Sequence, residues 1–364
     1  MDPIQDINSI VFTSALSDVT FTTESEVVEV ALACYGALAF TTSLCAHNGR
    51  VTLYDLRSIV EPSLISNRQS CVDVTLTVKG DAGDEFEKDF FVVYQRKICR
   101  GSAVEWLRTH FLTTLDARRT YSTVAEQISY FASADEDITT HYKITLRYGD
   151  EYRVISYSSA EKTQGQDGVN SIDVGYNDIK GLLTPDVVRA VPDIEDPLDY
   201  DEVVAWSVRV GERVANFYLN DSTPDISFAF RNSFYVWEYA HLCATTIKKN
   251  EVTQSESFVG SITRIYDRKI EVSREVTTSP LTIAEAYWME DLTQSDDVRL
   301  AMEAGAFDDI PEVIVTESSV SVSDDDTLVN SVKFTWRYAD DRDYLPNEQP
   351  TEDIFSKEFD YAFK

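Results

Sequence analysis

The chain has 364 residues, room for two or three domains at roughly 100–200 residues each. Lys and Arg number 32 against 63 Asp and Glu, a formal net charge of −31. That balance argues against a sequence-independent nucleic-acid binder and against polybasic membrane association, because both need a basic face. The hydrophobic fraction of 43% is too high for a disordered chain, and 19 Tyr and 18 Phe beside abundant Val and Thr favour strands.

The opening MDPIQDINSIVF lacks a basic segment followed by an apolar one, so no secretory signal is expected. No apolar run approaches the roughly 18 residues needed to cross a bilayer. Alternation over Val27–Leu32, Ala37–Thr42, Arg50–Tyr54, Val72–Val78 and Phe90–Tyr94 predicts strands. Turn chemistry separates them at Tyr35-Gly36, His47-Asn48-Gly49 and Lys79 to Asp84. Residues 1–118 therefore read as a first antiparallel β-sandwich module. Near its end, Ser102-Ala103-Val104-Glu105 has the form of a capping box, with Val104, Leu107 and Phe111 on one helical face.

Residues 119–232 read as a second sandwich that repeats the first. Asp55-Leu56-Arg57-Ser58-Ile59-Val60-Glu61-Pro62 aligns with Asp178-Ile179-Lys180-Gly181-Leu182-Leu183-Thr184-Pro185, an offset of 123 residues from Asp55 to Asp178. A hairpin precedes each octet, Glu26 to Thr42 and then Thr140 to Tyr157, and two strands follow each. In the second copy those are Val203–Val210 and Val214–Leu219, after an acidic loop from Asp193 to Glu202.

Residues 233–345 read as a third, β-rich module. Its strands are expected at Ser261–Tyr266, Lys269–Val276, Val313–Glu317 and Ser331–Tyr338, and the Thr282-Ile283-Ala284-Glu285 capping box predicts a helix over 282–294. Residues 346–364 carry Phe355, Phe359, Tyr361 and Phe363 among prolines and acids, an arm suited to docking on a neighbouring chain. The fold class is all-β: two related antiparallel β-sandwich modules plus a third β-rich module with one or two short helices.

Signals for chemistry are sparse. There is no G-x-S-x-G elbow, no H-E-x-x-H, no C-x-x-C and no phosphate-binding glycine loop. His47, His110, His141 and His241 stand apart from one another in sequence, and His110 and His241 lie among apolar neighbours. Asp324-Asp325-Asp326 and Asp340-Asp341 lack the EF-hand pattern and read as solvated turns. Phe230 to Tyr239 (FRNSFYVWEY) reads as core or subunit interface. Cys34, Cys45, Cys71, Cys99 and Cys243 are odd in number and read as reduced core thiols of a protein made in a cytoplasm. No catalytic, cofactor-binding or metal residue is assigned, and the expectation is a non-enzyme without cofactors.

The C-terminal third holds the most recognisable stretch. Ser279-Pro280-Leu281-Thr282 opens a helix bearing Trp288, Val313-Ile314-Val315-Thr316-Glu317-Ser318 follows, and Phe334-Thr335-Trp336-Arg337-Tyr338-Ala339-Asp340 closes the module. With Asn48-Gly49 leading to Tyr54-Asp55-Leu56, and Phe91-Val92-Val93-Tyr94, this order resembles tail-tip proteins of tailed bacteriophages and prophages of gut Bacteroidetes.

The resemblance implies a distal-tail or baseplate-type virion component, made in the bacterial host cytoplasm. It would form a symmetric homo-oligomeric ring or adaptor joining the tail tube to hub, fibre or receptor-binding proteins. It brings no catalytic residues, and neither stable nucleic-acid binding nor a membrane is expected. Such a ring would carry an acidic inner wall, with Lys and Arg gathered at subunit contacts. The alternative is a carbohydrate-binding β-sandwich adhesin or receptor-binding module, marked by exposed aromatics on a polar sheet face. A glycoside-cleaving enzyme comes third.

Overall fold

The structure is a computed structural model that describes residues 1–4, 7–97, 101–133, 136–159, 163–164, 168–184, 202–301, 310–321 and 329–340. Among them 58% lie in strands and 13% in helices, so the chain is an all-β protein built of sandwich-like modules. It divides into two compact units, one of residues 1–223 and 230–238, the other of residues 224–229 and 239–364. The arm at 346–364, Cys99 and Asp324 to Asp326 lie outside the described residues.

The first unit opens with β1 (Asp2–Pro3), β2 (Ile10–Phe12), β3 (Val19–Thr22), β4 (Val27–Cys34), β5 (Ala37–Cys45) and β6 (Arg50–Leu53). Helix α1 (Leu56–Ser66), β7 (Cys71–Gly80) and β8 (Glu85–Val93) follow. A five-stranded sheet runs in the order β2-β8-β7-β4-β5, and β1-β3-β6 form a smaller one. β4 shows why the layers close: Val28, Val30, Leu32 and Cys34 are buried, while the alternate residues face outward. The buried row packs against Phe21, Val51 and Leu53 of the small sheet and Leu56, Val60 and Leu64 of α1.

A second module repeats this plan after α2 (Ala103–Thr109). Its elements are β9 (Ala117–Tyr121), β10 (Gln127–Ala132), β11 (Asp137–Ile138), β12 (Thr140–Tyr148), β13 (Glu151–Ser158), β14 (Thr163–Gln164), β15 (Gly168–Asp173), α3 (Tyr176–Gly181), β16 (Glu202–Val210) and β17 (Arg213–Asn220). The large sheet runs β9-β17-β16-β12-β13, position for position the order β2-β8-β7-β4-β5. In both sheets the short first strand is parallel to the last and all other pairs are antiparallel. The antiparallel β10–β15 pair corresponds to β3–β6, and a helix follows each. The two modules are one topology used twice.

The octets that signalled the repeat begin at the equivalent helices α1 and α3, three residues out of phase. Asp55 is the N-cap of α1, whereas α3 is capped by Gly175 and holds Asp178 in its first turn. Each carboxylate still serves its helix end: Asp55 Oδ1 accepts from the Ser58 N–H at 3.3 Å, and Asp178 Oδ2 accepts from the Gly175 N–H at 3.1 Å.

Between the modules, Ala103 and Leu107 of α2 join Phe12, Val93, Phe131 and Phe234 in a shared apolar cluster. The Ser102 capping box does not form, since its hydroxyl makes no cap hydrogen bond. Val104 is exposed, and Phe111 is buried beyond the helix, whose last residue is followed by extended backbone at His110.

The second unit holds a seven-stranded sheet in the order β19-β18-β22-β23-β24-β21-β20. Its strands are β18 (Ile226–Arg231), β19 (Trp237–Leu242), β20 (Ala244–Val259), β21 (Ile262–Thr278), β22 (Val298–Leu300), β23 (Glu312–Ser321) and β24 (Ser331–Tyr338). Helix α4 (Ile283–Thr293) packs on β23 and β24. Its capping box forms as expected: Thr282 Oγ1 accepts from the Glu285 N–H at 3.2 Å, and Glu285 Oε2 accepts from the Thr282 N–H at 2.8 Å. Arg274 lies over the rings of Trp336 and Tyr338 at 4.9 and 4.7 Å, shielding the aromatic core that Phe228 and Phe334 share with Trp336. The strands expected at 261–266 and 269–276 are a single 17-residue strand, β21, and its 16-residue partner β20 carries no alternation that would announce it.

Candidate interaction surfaces

The β20–β21 hairpin carries most of the exposed large hydrophobic side chains among the described residues of the second unit. Only Arg274 to Thr277 of β21 pair with β24 on their other side. The twelve residues from Ile262 to Ser273 therefore have β20 as their single partner, a ribbon of about 40 Å at roughly 3.3 Å per residue. Register sorts its side chains. Val252 lies opposite Ile270, Asn250 opposite Val272, Glu256 opposite Ile265 and Phe258 opposite Thr263, on the face whose base is buried Val276. That face also carries Lys248, Arg268 and Arg274, and the other holds the ion pairs of Lys269 with Glu271 and of Lys249 and Lys333 with Glu275 beside exposed Ile247, Val259 and Ile262. Phe258 is 73% exposed and Val252, Ile265 and Ile270 each more than half. An isolated two-stranded hairpin is marginal in water, and among the described residues no second layer packs on these exposed apolar side chains.

The outer faces of the two large sheets form a second pair of surfaces. Outward from the first point Glu29 of β4, Asp73 and Lys79 of β7, and Glu85, Glu87 and Asp89 of β8, all exposed. Lys79 meets Glu85 at 2.9 Å, and the Ser25 and Thr23 hydroxyls at the sheet end hold the Asp84 carboxyl below its usual range. On the corresponding face of the second sheet stand Arg119, His141, Lys143, Arg147 and Arg209, with Glu202 bonded to Arg147. Tyr152 and Tyr218 are exposed on this same face. A chain of net charge −31 thus gathers cations on one sheet and acids on its structural duplicate.

The interior holds a further charge network. Arg118 of β9 donates through Nη2 to Glu238 Oε1 at 2.6 Å, and its Nη1 lies 3.7 Å from Glu126 Oε2. Thr113 and Asn232 also donate to Glu238, at 2.6 and 2.9 Å. All five residues are buried. Burial pushes the Glu126 carboxyl up to about 7, against the pull of Arg118. Arg213 forms a second anchor, donating to the carbonyls of Leu107 at 2.7 Å and Phe131 at 2.8 Å and to Glu136 at 2.8 Å.

The structure brings no two of the histidines together. His47 sits in the exposed turn before Arg50. His110 stacks on Trp106, with ring centroids 4.8 Å apart. His141 meets the Ser158 hydroxyl at 2.7 Å, and His241 meets that of Ser227 at 2.8 Å while stacking on Tyr239. Among the described residues no group of three or more His, Cys, Asp or Glu is placed to hold a metal ion.

Phe230, Phe234, Tyr235 and Val236 are buried, and Trp237 is half-buried beneath the Arg231 guanidinium at 4.4 Å. Of the cysteines, Cys34 is a core thiol whose pKa burial raises, but Cys45 is exposed rather than buried. Opposite Val27, it falls on the outward row of its hairpin, where the β4–β5 pair faces solvent. Cys71 and Cys243 are half-buried. A cavity of about 220 Å³ beside Leu56 is lined by Ile7, Val11, Leu16 and Asp18, and the Asp18 carboxylate is already engaged by the Asp55 N–H at 2.9 Å. No described helix is long and apolar enough to cross a membrane.

No family model and no curated protein matches the chain. Among solved structures it is similar to the plexin A4 full extracellular region, with 9% identity over 93% of this chain and 39% of that one. The chain spans well under half the length of that protein, and a TM-score of 0.19 carries no argument about fold or function.

Proposed function

We propose that this chain is a non-enzymatic structural protein of a phage tail tip, a virion component that assembles with copies of itself into a ring or adaptor between the tail tube and adhesion proteins. The observation that carries the reading is the exposed apolar surface of the β20–β21 hairpin. It exposes Val252, Phe258, Ile265 and Ile270 on a ribbon held by one other strand over twelve residues, an arrangement that favours burial against another chain. The tail-tip resemblance of the helix bearing Trp288 and the strand bearing Trp336 supports the same reading, as does the scatter of the histidines.

Replacing Val252–Ile270 with Asn-Gly closes the Glu251–Glu271 pair by a two-residue turn and leaves the sheet intact. The shortened chain should keep its unfolding transition while its oligomer, seen by mass photometry and negative-stain microscopy, falls to monomer. Assembly indistinguishable from the full chain would remove the hairpin from the interface. Antibody raised against the chain should decorate the distal end of tailed particles from an induced host culture. Tailed particles that stay unlabelled would overturn the assignment to a tail tip.

A further inference from the structure

We infer that the acidic outer face of the first sheet docks on the basic outer face of the second sheet of another copy of this chain. The occupant follows from charge complementarity. One face presents Glu29, Asp73, Glu85, Glu87 and Asp89 against a single Lys79, and the other presents Arg119, Lys143, Arg147 and Arg209 against a single Glu202. The named charges are exposed or half-buried in the single chain, so neither face covers the other, and only the Phe91 end of the acidic face is closed, against Phe131. They have the same strand order, hence similar twist, and two sheets of similar twist pack face to face at about 10 Å. Between the charges lie short side chains, Ala31, Thr75 and Thr77 on one face and Thr145, Ala205 and Ser207 on the other, while Tyr152 and Tyr218 on the flanking strands of the second face offer exposed rings for apolar contact.

A contact between two different faces is head-to-tail, and repetition by a fixed rotation closes a ring when that rotation divides a full turn. The interface would also spend the protein's scarce cations where like-charged copies meet, which lowers the self-repulsion of subunits carrying −31 each. This inference rests on the ring reading above and names the surfaces that build it.

Charge reversal tests it. One variant carries Glu85→Lys, Glu87→Lys and Asp89→Lys, the other Arg119→Glu, Lys143→Glu and Arg209→Glu, all at exposed outward positions, so that each reverses the net charge of its face. Each variant alone now opposes like with like and should be monomeric by mass photometry at concentrations where the unaltered chain is a ring. A 1:1 mixture of the two should restore assembly, as should the chain that carries all six changes. Misfolded variants could not produce that rescue. Raising salt from about 0.05 to 0.5 M should weaken assembly, because the Debye length shrinks below the spacing of the charges. A ring that persists in either variant would overturn the face pairing and leave the ring itself standing, and so would failure of both the mixture and the six-fold chain to assemble. An unaltered chain that stays monomeric at every concentration would overturn the ring and the pairing together.

Discussion

The two sandwich modules of the first unit share a topology and differ in where they place charge. The first has a core of Val, Leu and Phe with no buried ion among its described residues, and its outer sheet face is acidic. The second buries Arg118, Glu126 and Arg213 within or beside its core and turns a basic face outward. A strand order is set by the alternation of apolar residues and by turn lengths, and these tolerate very different polar residues on the outward rows. Inside, the charges of the second module do a job the first does not need: they bind α2 and the 230–238 segment to its strands through hydrogen bonds that apolar side chains could not make.

The comparison breaks most severely at Arg118. Arg118→Ala would leave Glu238 and Glu126 without their buried guanidinium, and stability at pH 8 should fall by about 3–5 kcal/mol, measured by urea unfolding. A loss below about 1 kcal/mol would mean that the network is solvated and that the two interiors are equivalent.

The next effect depends on pH. Glu126 titrates near 7 in the folded chain against 4.5 as an ordinary glutamate, so between these values the folded state binds the proton more tightly. Stability therefore falls as pH rises from about 4.5 to 7, by about 3 kcal/mol at most from this group, and the loss is complete above 7. Glu126→Gln should remove that slope, so the stability difference between variant and parent should grow from pH 4.5 to 8 in the variant's favour. A difference that does not change with pH would show the carboxyl to be ionised throughout.

The smallest effect compares the helix starts. Asp55→Ala should cost about 1 kcal/mol, because an N-cap acceptor is lost. Asp178→Ala should cost a few tenths to about 1 kcal/mol, because it removes a first-turn carboxylate from a helix that keeps its glycine cap. Equal losses would make the two helices more alike than their caps suggest.

Much of the first unit was legible because its strands are half-buried and alternate cleanly, as in Val27–Cys34 and Cys71–Gly80. Helix α1 was not, since Pro62 stands in its middle and proline normally ends a helix. The signal was present in Leu56, Val60 and Leu64 at four-residue spacing behind the Asp55 cap, with Arg57 and Glu61 paired across one turn at 2.6 Å. The repeat could be read, although its alignment was three residues out, because both helices carry an aspartate that serves the N-terminus from different positions. The β20 strand was hidden for the opposite reason. Lys248 to Glu251 face solvent on both sides of a ribbon, and Gln254 to Ser257 are polar throughout, so no apolar alternation marks them. The contrast between the outer faces was invisible as well, since it appears only when register brings Glu85 beside Lys79, and Lys143 beside Ser207.

The long hairpin also has a mechanical consequence. Its backbone hydrogen bonds lie across the strands, from the Ala244–Thr278 pair to the Val259–Ile262 pair. A pull along the ribbon with its two strands drawn in opposite directions loads those bonds together in shear, whereas prising the strands apart breaks them one after another. The ladder is interrupted once, where the register shifts between Ser255 and Glu256. Beyond that point only four residue pairs hold the tip, so under tension the tip should give way first while the base, continuous with β24, holds.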